Sequence, residues 1–128
     1  MTEQDLINKH PHILEHCGRS RKHDEPIAWW GIECEEGWFE TLDWLMTEIE
    51  KIDPDHTVKV TQIKEKFGGL RFYINSGSDE VYKLINKAEE KCSTICEYCG
   101  RGSGRRRSGG WIKILCDECE EQRKKNMH

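Results

Sequence analysis

Two Cys-x-x-Cys pairs, CEYC at residues 96–99 and CDEC at residues 116–119, lie sixteen residues apart. This spacing is typical of four-cysteine zinc sites. Four thiolates arranged as a tetrahedron suit Zn²⁺ and leave no open position for a substrate, so such an ion is structural. Iron is the minor chemical alternative for a four-thiolate site. The sequence therefore predicts one structural Zn²⁺, with the ligands Cys96, Cys99, Cys116 and Cys119.

The residues around these pairs predict the shape of the module. Gly100 directly follows the second cysteine, where a zinc knuckle needs a permissive backbone. Residues 101–110 form a basic, glycine-rich loop and residues 111–115 a short strand. Cys116 opens a final helix with an acidic start and a basic end, which suits the helix dipole. A knuckle, a hairpin and a helix in this order describe a treble clef, and a zinc ribbon is the alternative.

Two amphipathic helices are predicted upstream of the cysteines. Apolar residues recur at helical spacing over residues 38–52, and Asp53-Pro54 ends the pattern. Residues 80–93 show a second apolar stripe, which Ser78 or Asp79 can cap. Shorter helices are expected at residues 3–9 and from Pro11 through His16.

Strands are predicted between the two long helices. Residues 57–63 are rich in β-branched side chains, and residues 70–75 alternate apolar and polar positions. A turn at or near Gly68-Gly69 joins them, with a glycine at positive φ and with Phe67, Leu70 and Phe72 in the core. Residues 27–34 predict a further short strand or extended segment. The expected fold class is thus α+β, with a body over residues 1–95 and a zinc-binding module over residues 96–128. We expect the two to share one core through the helix at residues 80–93.

Composition limits the size of this core. Of the 128 residues, 35% are apolar and 34% charged, so that a metal must supply folding energy that a small core cannot. The net charge of −4 is unevenly distributed: residues 1–95 carry twelve Lys or Arg against nineteen Asp or Glu, and residues 96–128 carry eight against five. An acidic body argues against general coating of nucleic acid, which needs many phosphate contacts.

The seven cysteines point to a compartment. An odd number left after the zinc ligands, together with Cys-x-x-Cys spacing, favours a reducing cytoplasm over a disulfide framework. The polar, acidic start is unlike a signal peptide, and no run reaches the ~18 apolar residues that span a membrane. We therefore expect a cytoplasmic protein that does not contact a membrane.

Three stretches resemble a widespread set of small bacterial and phage or prophage proteins that have no established activity. They are residues 32–39 (IECEEGWF), residues 60–73 (VTQIKEKFGGLRFY) and the cysteine module, and the match as a whole covers roughly residues 5–125 in the same order. The resemblance implies zinc binding and a phage-associated context, in the host cytoplasm if the protein is phage-encoded. It carries over no catalytic residue.

Candidate contact residues follow from charge and exposure. Arg105, Arg106 and Arg107 suit phosphates or an acidic protein surface, because the guanidinium fork binds either in a bidentate manner. Trp111 beside them would stack on a base, although packing on the small core of the module is the commoner role. The outer face of the 57–75 hairpin adds four further candidates, Lys64, Lys66, Arg71 and Tyr73.

These residues favour a non-enzymatic binding protein with a host or bacterial protein as partner, for instance a phage-encoded inhibitor. A nucleic-acid-binding regulator that uses the arginines is the alternative. His12, Glu15 and His16 match the H-x-x-E-H motif of inverted zinc proteases, but Pro11 disturbs their helix and no third ligand is evident. The sequence does not carry the histidines that an HNH nuclease requires, since residues 100–128 contain only His128. Cys17, Cys34 and Cys92 are expected as small core residues, and Trp29-Trp30 as a pair with one ring buried.

Overall fold

The computed structural model describes residues 1–15, 32–108 and 111–126. Four α-helices, five short strands and one 3-10 helix make up these parts of the chain. The helices are α1 (Glu3–Lys9), α2 (Phe39–Ile52), α3 (Asp79–Cys92) and α4 (Asp117–Lys125), and a 3-10 turn at Glu36–Trp38 precedes α2. The strands are β1 (Ile32–Glu33), β2 (Val60–Lys66), β3 (Gly69–Ile74), β4 (Arg105–Arg107) and β5 (Lys113–Leu115). The α+β fold class is confirmed.

The strands form two separate sheets. The first has the order β1-β2-β3, with β1 parallel to β2 and β2 antiparallel to β3. The second is the antiparallel β4–β5 hairpin. Residues 101–110, expected as a loop, thus contain a strand, because Arg105–Arg107 pair with β5 and turn this region into the hairpin of the module.

The four α-helices begin within one residue of the predicted positions. Ser78 caps α3, since its hydroxyl accepts a hydrogen bond from the N–H of Val81. Thr2 and Asp5 form a reciprocal capping box at α1. The second short helix expected from Pro11 is wrong within residues 11–15, which form turns. Pro11 has no N–H to continue α1, and the turns place Ile13 and Leu14 in the core.

One core joins α2, α3 and the inner face of the first sheet. Leu42, Leu45 and Ile49 of α2 have no exposed surface, and they pack with Ile63 and Leu70 of the sheet. The apolar stripe of α3 is buried at four of its five positions, with Leu84 partly exposed. Ile114 of β5 belongs to the same cluster of buried residues.

The turn between β2 and β3 differs from the prediction. The register pairs Lys66 with Gly69, so Phe67 and Gly68 are the two turn residues. Both have positive φ, 54° and 82°. The expected glycine at positive φ is confirmed at Gly68, but the placement of Phe67 in the core is wrong, since this ring is 67% exposed. A two-residue hairpin turn points its side chains away from the sheet, and therefore away from the core.

Candidate metal centre

The first cysteine pair lies in a tight knuckle. The N–H of Gly100 donates to the carbonyl of Cys96 at 2.9 Å, and the N–H of Cys96 donates to the carbonyl of Arg101 at 2.8 Å. Gly100 has φ of 82°, a conformation that glycine adopts without steric cost. The chain reverses within five residues, so both thiols point into the same space.

The second pair lies at the start of α4. Cys116 is the N-cap residue, its carbonyl accepts from the N–H of Glu120 at 3.0 Å, and Cys119 lies in the first turn. The β4–β5 hairpin carries the chain from the knuckle to this helix. The knuckle, hairpin and helix therefore follow one another as predicted for a treble clef.

The four thiols form a single cluster. Their Sγ atoms all lie within 4.8 Å of one another, and the Sγ atoms of Cys99 and Cys116 are 3.6 Å apart. Metal–sulfur bonds of ~2.3 Å in a tetrahedron put sulfurs roughly 3.8 Å apart, whereas a disulfide requires about 2.05 Å. The donor set and its spacing thus fit one tetrahedral metal ion. Among the described residues this is the one such group of His, Cys, Asp or Glu ligand atoms.

The protein environment shifts the pKa of Cys96 and that of Cys119 in opposite directions. Burial raises the pKa of Cys96, but backbone hydrogen bonds from Cys99, Cys116 and Tyr98 outweigh it and lower the pKa to about 7. Burial raises the pKa of Cys119, and the three neighbouring thiols raise it further. Four negative charges this close repel one another strongly, and a bound divalent cation would remove that repulsion.

Two arginines add positive charge beside the sulfurs. Arg101 follows the knuckle and forms an ion pair with Glu118 at 2.8 Å; this carboxylate and the nearby Cys99 and Cys116 raise the pKa of Arg101. Arg107 donates to Asp117 at 2.6 Å and to the carbonyl of Leu115 at 3.1 Å. Both arginines link the hairpin side of the module to α4.

Glu97 connects the knuckle to the rest of the protein, a role that the sequence did not reveal. Its side chain is fully buried and accepts from the N–H of Glu35 at 3.1 Å and from Lys113 at 3.3 Å. Its backbone carbonyl accepts from Gly37 at 2.7 Å, and its N–H donates to Ile114 at 2.8 Å. Burial raises the pKa of this carboxyl group, and Lys113 opposes the rise. A glutamate inside a Cys-x-x-Cys pair carries no pattern that distinguishes it from a solvated one.

The three consecutive arginines have different surroundings. Arg105 and Arg106 are exposed, whereas Arg107 is half-buried in the ion pair with Asp117. The β4–β5 register pairs Arg105 with Leu115 and Arg106 with Ile114. Directly paired residues share a face of a sheet, so Arg105 and Arg106 lie on opposite faces of this hairpin.

Trp111 is 77% exposed, so the expectation that it packs on the core of the module is wrong. Three buried residues, Cys96, Leu115 and Cys116, form that core with Cys119 against them.

The four candidates on the β2–β3 hairpin lie on its outer face. Lys64 pairs with Arg71 in the register, and Tyr73 follows on the same side. Ile63, Leu70 and Phe72 occupy the inner face and are buried. The ammonium group of Lys64 lies 5.9 Å from the centre of the Tyr73 ring. The structure therefore brings Lys64, Lys66, Arg71 and Tyr73 together, away from the four cysteines.

The remaining cysteines and histidines are placed as follows. Cys92 is buried in the main core and Cys34 packs against it; burial raises the pKa of both thiols, that of Cys92 to about 12. His12 stacks on His56 with 4.0 Å between the ring centres, and Glu15 forms an ion pair with Lys59 at 3.2 Å. Cys17, His16, Trp29, Trp30 and His128 lie outside the described residues.

No family model, curated protein or solved structure matches this chain. None of the helices in the described parts of the chain combines the length and the apolar character that crossing a membrane requires. The cysteine cluster is therefore the feature from which a function is argued.

Proposed function

We propose that the four cysteines hold one structural Zn²⁺ ion and that the protein is a non-enzymatic binding protein whose partner is another protein. The observation that carries this proposal is the closed four-thiol cluster, with all Sγ atoms within 4.8 Å. Four thiolates complete a tetrahedral shell, so the ion has no position left for a substrate or an activated water. When bound, the ion supplies folding energy to the module.

Zinc suits this cluster because its ligands are four soft thiolates in a closed tetrahedron. The buried apolar core of the module contains only three residues. Small modules of this kind fold when the metal binds, because the core alone does not offset the loss of chain entropy. Because the small core alone does not offset this entropy, the ion would have a structural role.

A protein partner is supported by exposed aromatic rings near the module. Phe67 and Trp111 are 67% and 77% exposed, and aromatic residues dominate the energy of protein interfaces. The resemblance to phage and prophage proteins adds a context in which the partner is a host or defence protein that this protein inhibits or modulates.

Nucleic-acid binding is the second candidate, and it rests on two arginines. Arg105 and Arg106 are exposed, and among the described residues neither has an acidic group within ion-pair distance. With Trp111 as a stacking platform, they would contact phosphates. Binding would then weaken steeply with salt, and alanine at both arginines would flatten the slope.

Two measurements test the proposal. Native mass spectrometry of the full chain should find one zinc ion per chain, and Cys99→Ser should abolish it. Two zinc ions would instead revive a hydrolase site at His12, Glu15 and His16. Affinity capture from bacterial lysate, with and without nuclease, then separates the two partner classes. A specific protein retained after nuclease supports the proposal, and proteins that vanish with nuclease support nucleic-acid binding.

A further inference from the structure

Phe67 occupies a position that an aromatic residue does not favour. The two-residue turn has positive φ at both positions, which is the type I′ geometry that Asn, Asp and Gly prefer. A bulky side chain in the left-handed region is a backbone outlier that the surrounding structure must hold in place. Its ring is also 67% exposed, so burial does not offset this cost. Folding alone does not explain a phenylalanine here.

This turn packs against the cysteine module. A Cβ atom added to Gly68 would lie 3.2 Å from Cγ2 of Ile112 and 3.6 Å from Cδ1 of Ile114. Phe67 directly precedes Gly68, and Trp111 directly precedes Ile112. The two most exposed aromatic rings of the described chain therefore flank one contact between the body and the module.

The backbone that carries Trp111 is held in place although its ring is exposed. The guanidinium of Arg123 donates a hydrogen bond to the carbonyl of Trp111, and the same guanidinium pairs with Glu120 at 3.1 Å. Glu120 belongs to α4 and is buried. An exposed ring on a fixed backbone loses little freedom on binding, which favours its use as an anchor.

One cation lies beside the Phe67 ring, and a second lies on the hairpin face that meets the turn. The ammonium group of Lys66 lies 5.7 Å from the centre of the Phe67 ring. Arg106 pairs with Ile114 in the register and so lies on the hairpin face that meets the turn. Both side chains are exposed, and within the described residues neither has an acidic partner.

We propose that Phe67, Trp111, Lys66 and Arg106 form a docking surface for an acidic protein segment, in which apolar side chains seat against the two rings and flanking carboxylates pair with the two cations. This rests on the proposed function and names the surface and partner chemistry for it. Two aromatic anchors with a basic rim match the residue types that carry binding energy in protein interfaces. Two cations on a chain of net charge −4 are too few for an affinity based on phosphate contacts.

Phe67→Asn is the decisive variant, because the two roles of the residue predict opposite effects on stability. Asparagine suits the turn, so the melting temperature should rise by about 2 °C. Partner binding should nevertheless weaken by about tenfold or more, as expected for an interface anchor. A purely structural Phe67 would instead lower stability when replaced.

The probe is a displayed library of random 15-residue peptides, selected on the zinc-loaded full chain and counter-selected on the empty support. The selected sequences should be enriched in Asp and Glu around apolar residues. Fluorescence anisotropy with the best peptide should show weaker binding for Trp111→Ser and Arg106→Ala. Lys83→Ala, which removes an exposed cation of α3, is the control and should bind like the wild type.

Three outcomes of the peptide experiment would overturn the proposed docking surface. These are no acidic enrichment, equal binding by wild type and Phe67→Asn, or tighter binding of a 15-nucleotide thymidine oligomer than of any peptide. The last result would assign the surface to single-stranded nucleic acid. If the captured cellular protein is retained by Phe67→Asn, the proposed function stands and this surface is wrong. If the wild type retains no specific protein after nuclease treatment, the proposed function is contradicted.

Discussion

The body and the cysteine module reach a folded state by different physical means. Eighteen described residues of the body and Ile114 of the module form one buried cluster. Among the described residues of the module a separate buried cluster consists of Cys96, Leu115 and Cys116, and two of these belong to the four thiols, which repel one another when ionised. We expect apolar burial to stabilise the first region and a cation bound among the four thiols to stabilise the second. We therefore expect removal of the metal to unfold the module and to leave the centre of the body folded.

Removal of the metal should have the largest effect. Apparent binding free energies for structural zinc are about 10–16 kcal/mol at neutral pH, so a strong chelator should unfold residues 96–126. Hydrogen exchange should show full loss of protection there and partial loss at the amides of Gly37 and Glu35, which donate to the backbone carbonyl and the carboxylate of Glu97. The centre of α2 should stay protected.

Two other exchange patterns would change this view. Loss confined to residues 96–126 would mean that body and module have separate cores. Loss throughout the chain would mean that the metal holds the body as well, and the contrast between the regions would disappear.

Two matched leucine variants, one in each region, test the comparison with the second-largest expected effect. Leu45 in α2 and Leu115 beside the cysteines both have no exposed surface. Alanine at either position should lower the free energy of unfolding by about 2–5 kcal/mol. Only Leu115→Ala should also release zinc faster to a chromogenic chelator, because Leu115 packs on Cys96 and Cys116. Equal release from both variants would show that the metal site depends on the whole core.

The contact at Gly37 tests how the two regions are joined. A Cβ atom there would lie 2.2 Å from the carbonyl oxygen of Cys96, so Gly37→Ala must push the knuckle away from the 3-10 helix. We expect a loss of about 1–3 kcal/mol in thermal or denaturant unfolding. Gly102→Ala is the control, since nothing lies within 4 Å of its added Cβ. A silent Gly37→Ala would contradict the described junction.

The smallest effect concerns acid stability of the body. Burial raises the pKa of Asp43, but hydrogen bonds from Lys9 and His10, at 2.7 and 2.6 Å, outweigh it and lower the pKa below its ordinary value. A lowered carboxyl pKa contributes stability at neutral pH that is lost as pH falls through the folded-state pKa, below about pH 4.

Asp43→Asn should therefore cost about 0.5–1 kcal/mol at pH 7 and flatten the acid limb of a stability curve. The exposed Asp55→Asn should leave that limb unchanged. An unaltered limb in Asp43→Asn would show that its ion pairs do not contribute to stability.

Local patterns predicted much of this fold. The stripe over residues 38–52 identified α2 with a start one residue later, because burial on one helix face repeats every 3.6 residues. The sequence also predicted that Ser78 can cap α3, because a cap depends only on residues within one turn of the helix start. The four cysteines were predicted as a cluster, since their spacing reports the reach of a knuckle and a helix start. The resemblance to phage proteins and the contact residues stay predictions.

Other features depend on contacts between distant segments. Phe67 and Trp111 are large aromatic residues, a type that is usually well buried, yet both are exposed. Glu97 looks like a surface residue and is fully buried, because the N–H of Glu35 and the ammonium group of Lys113 satisfy its carboxylate. Residues 11–15 form turns instead of the expected helix, and these turns place Ile13 and Leu14 in the core.

The sequence by itself determined the four-cysteine cluster, the amphipathic helices and the hairpin, since each follows from the spacing of residues that lie close together in the chain. Only the tertiary structure decided which side chains the module shares with the body, and which aromatic rings stay exposed beside their junction. The physical reason is that burial is set by surfaces that meet across the fold, and neighbouring positions in a chain carry no record of which distant surface covers them.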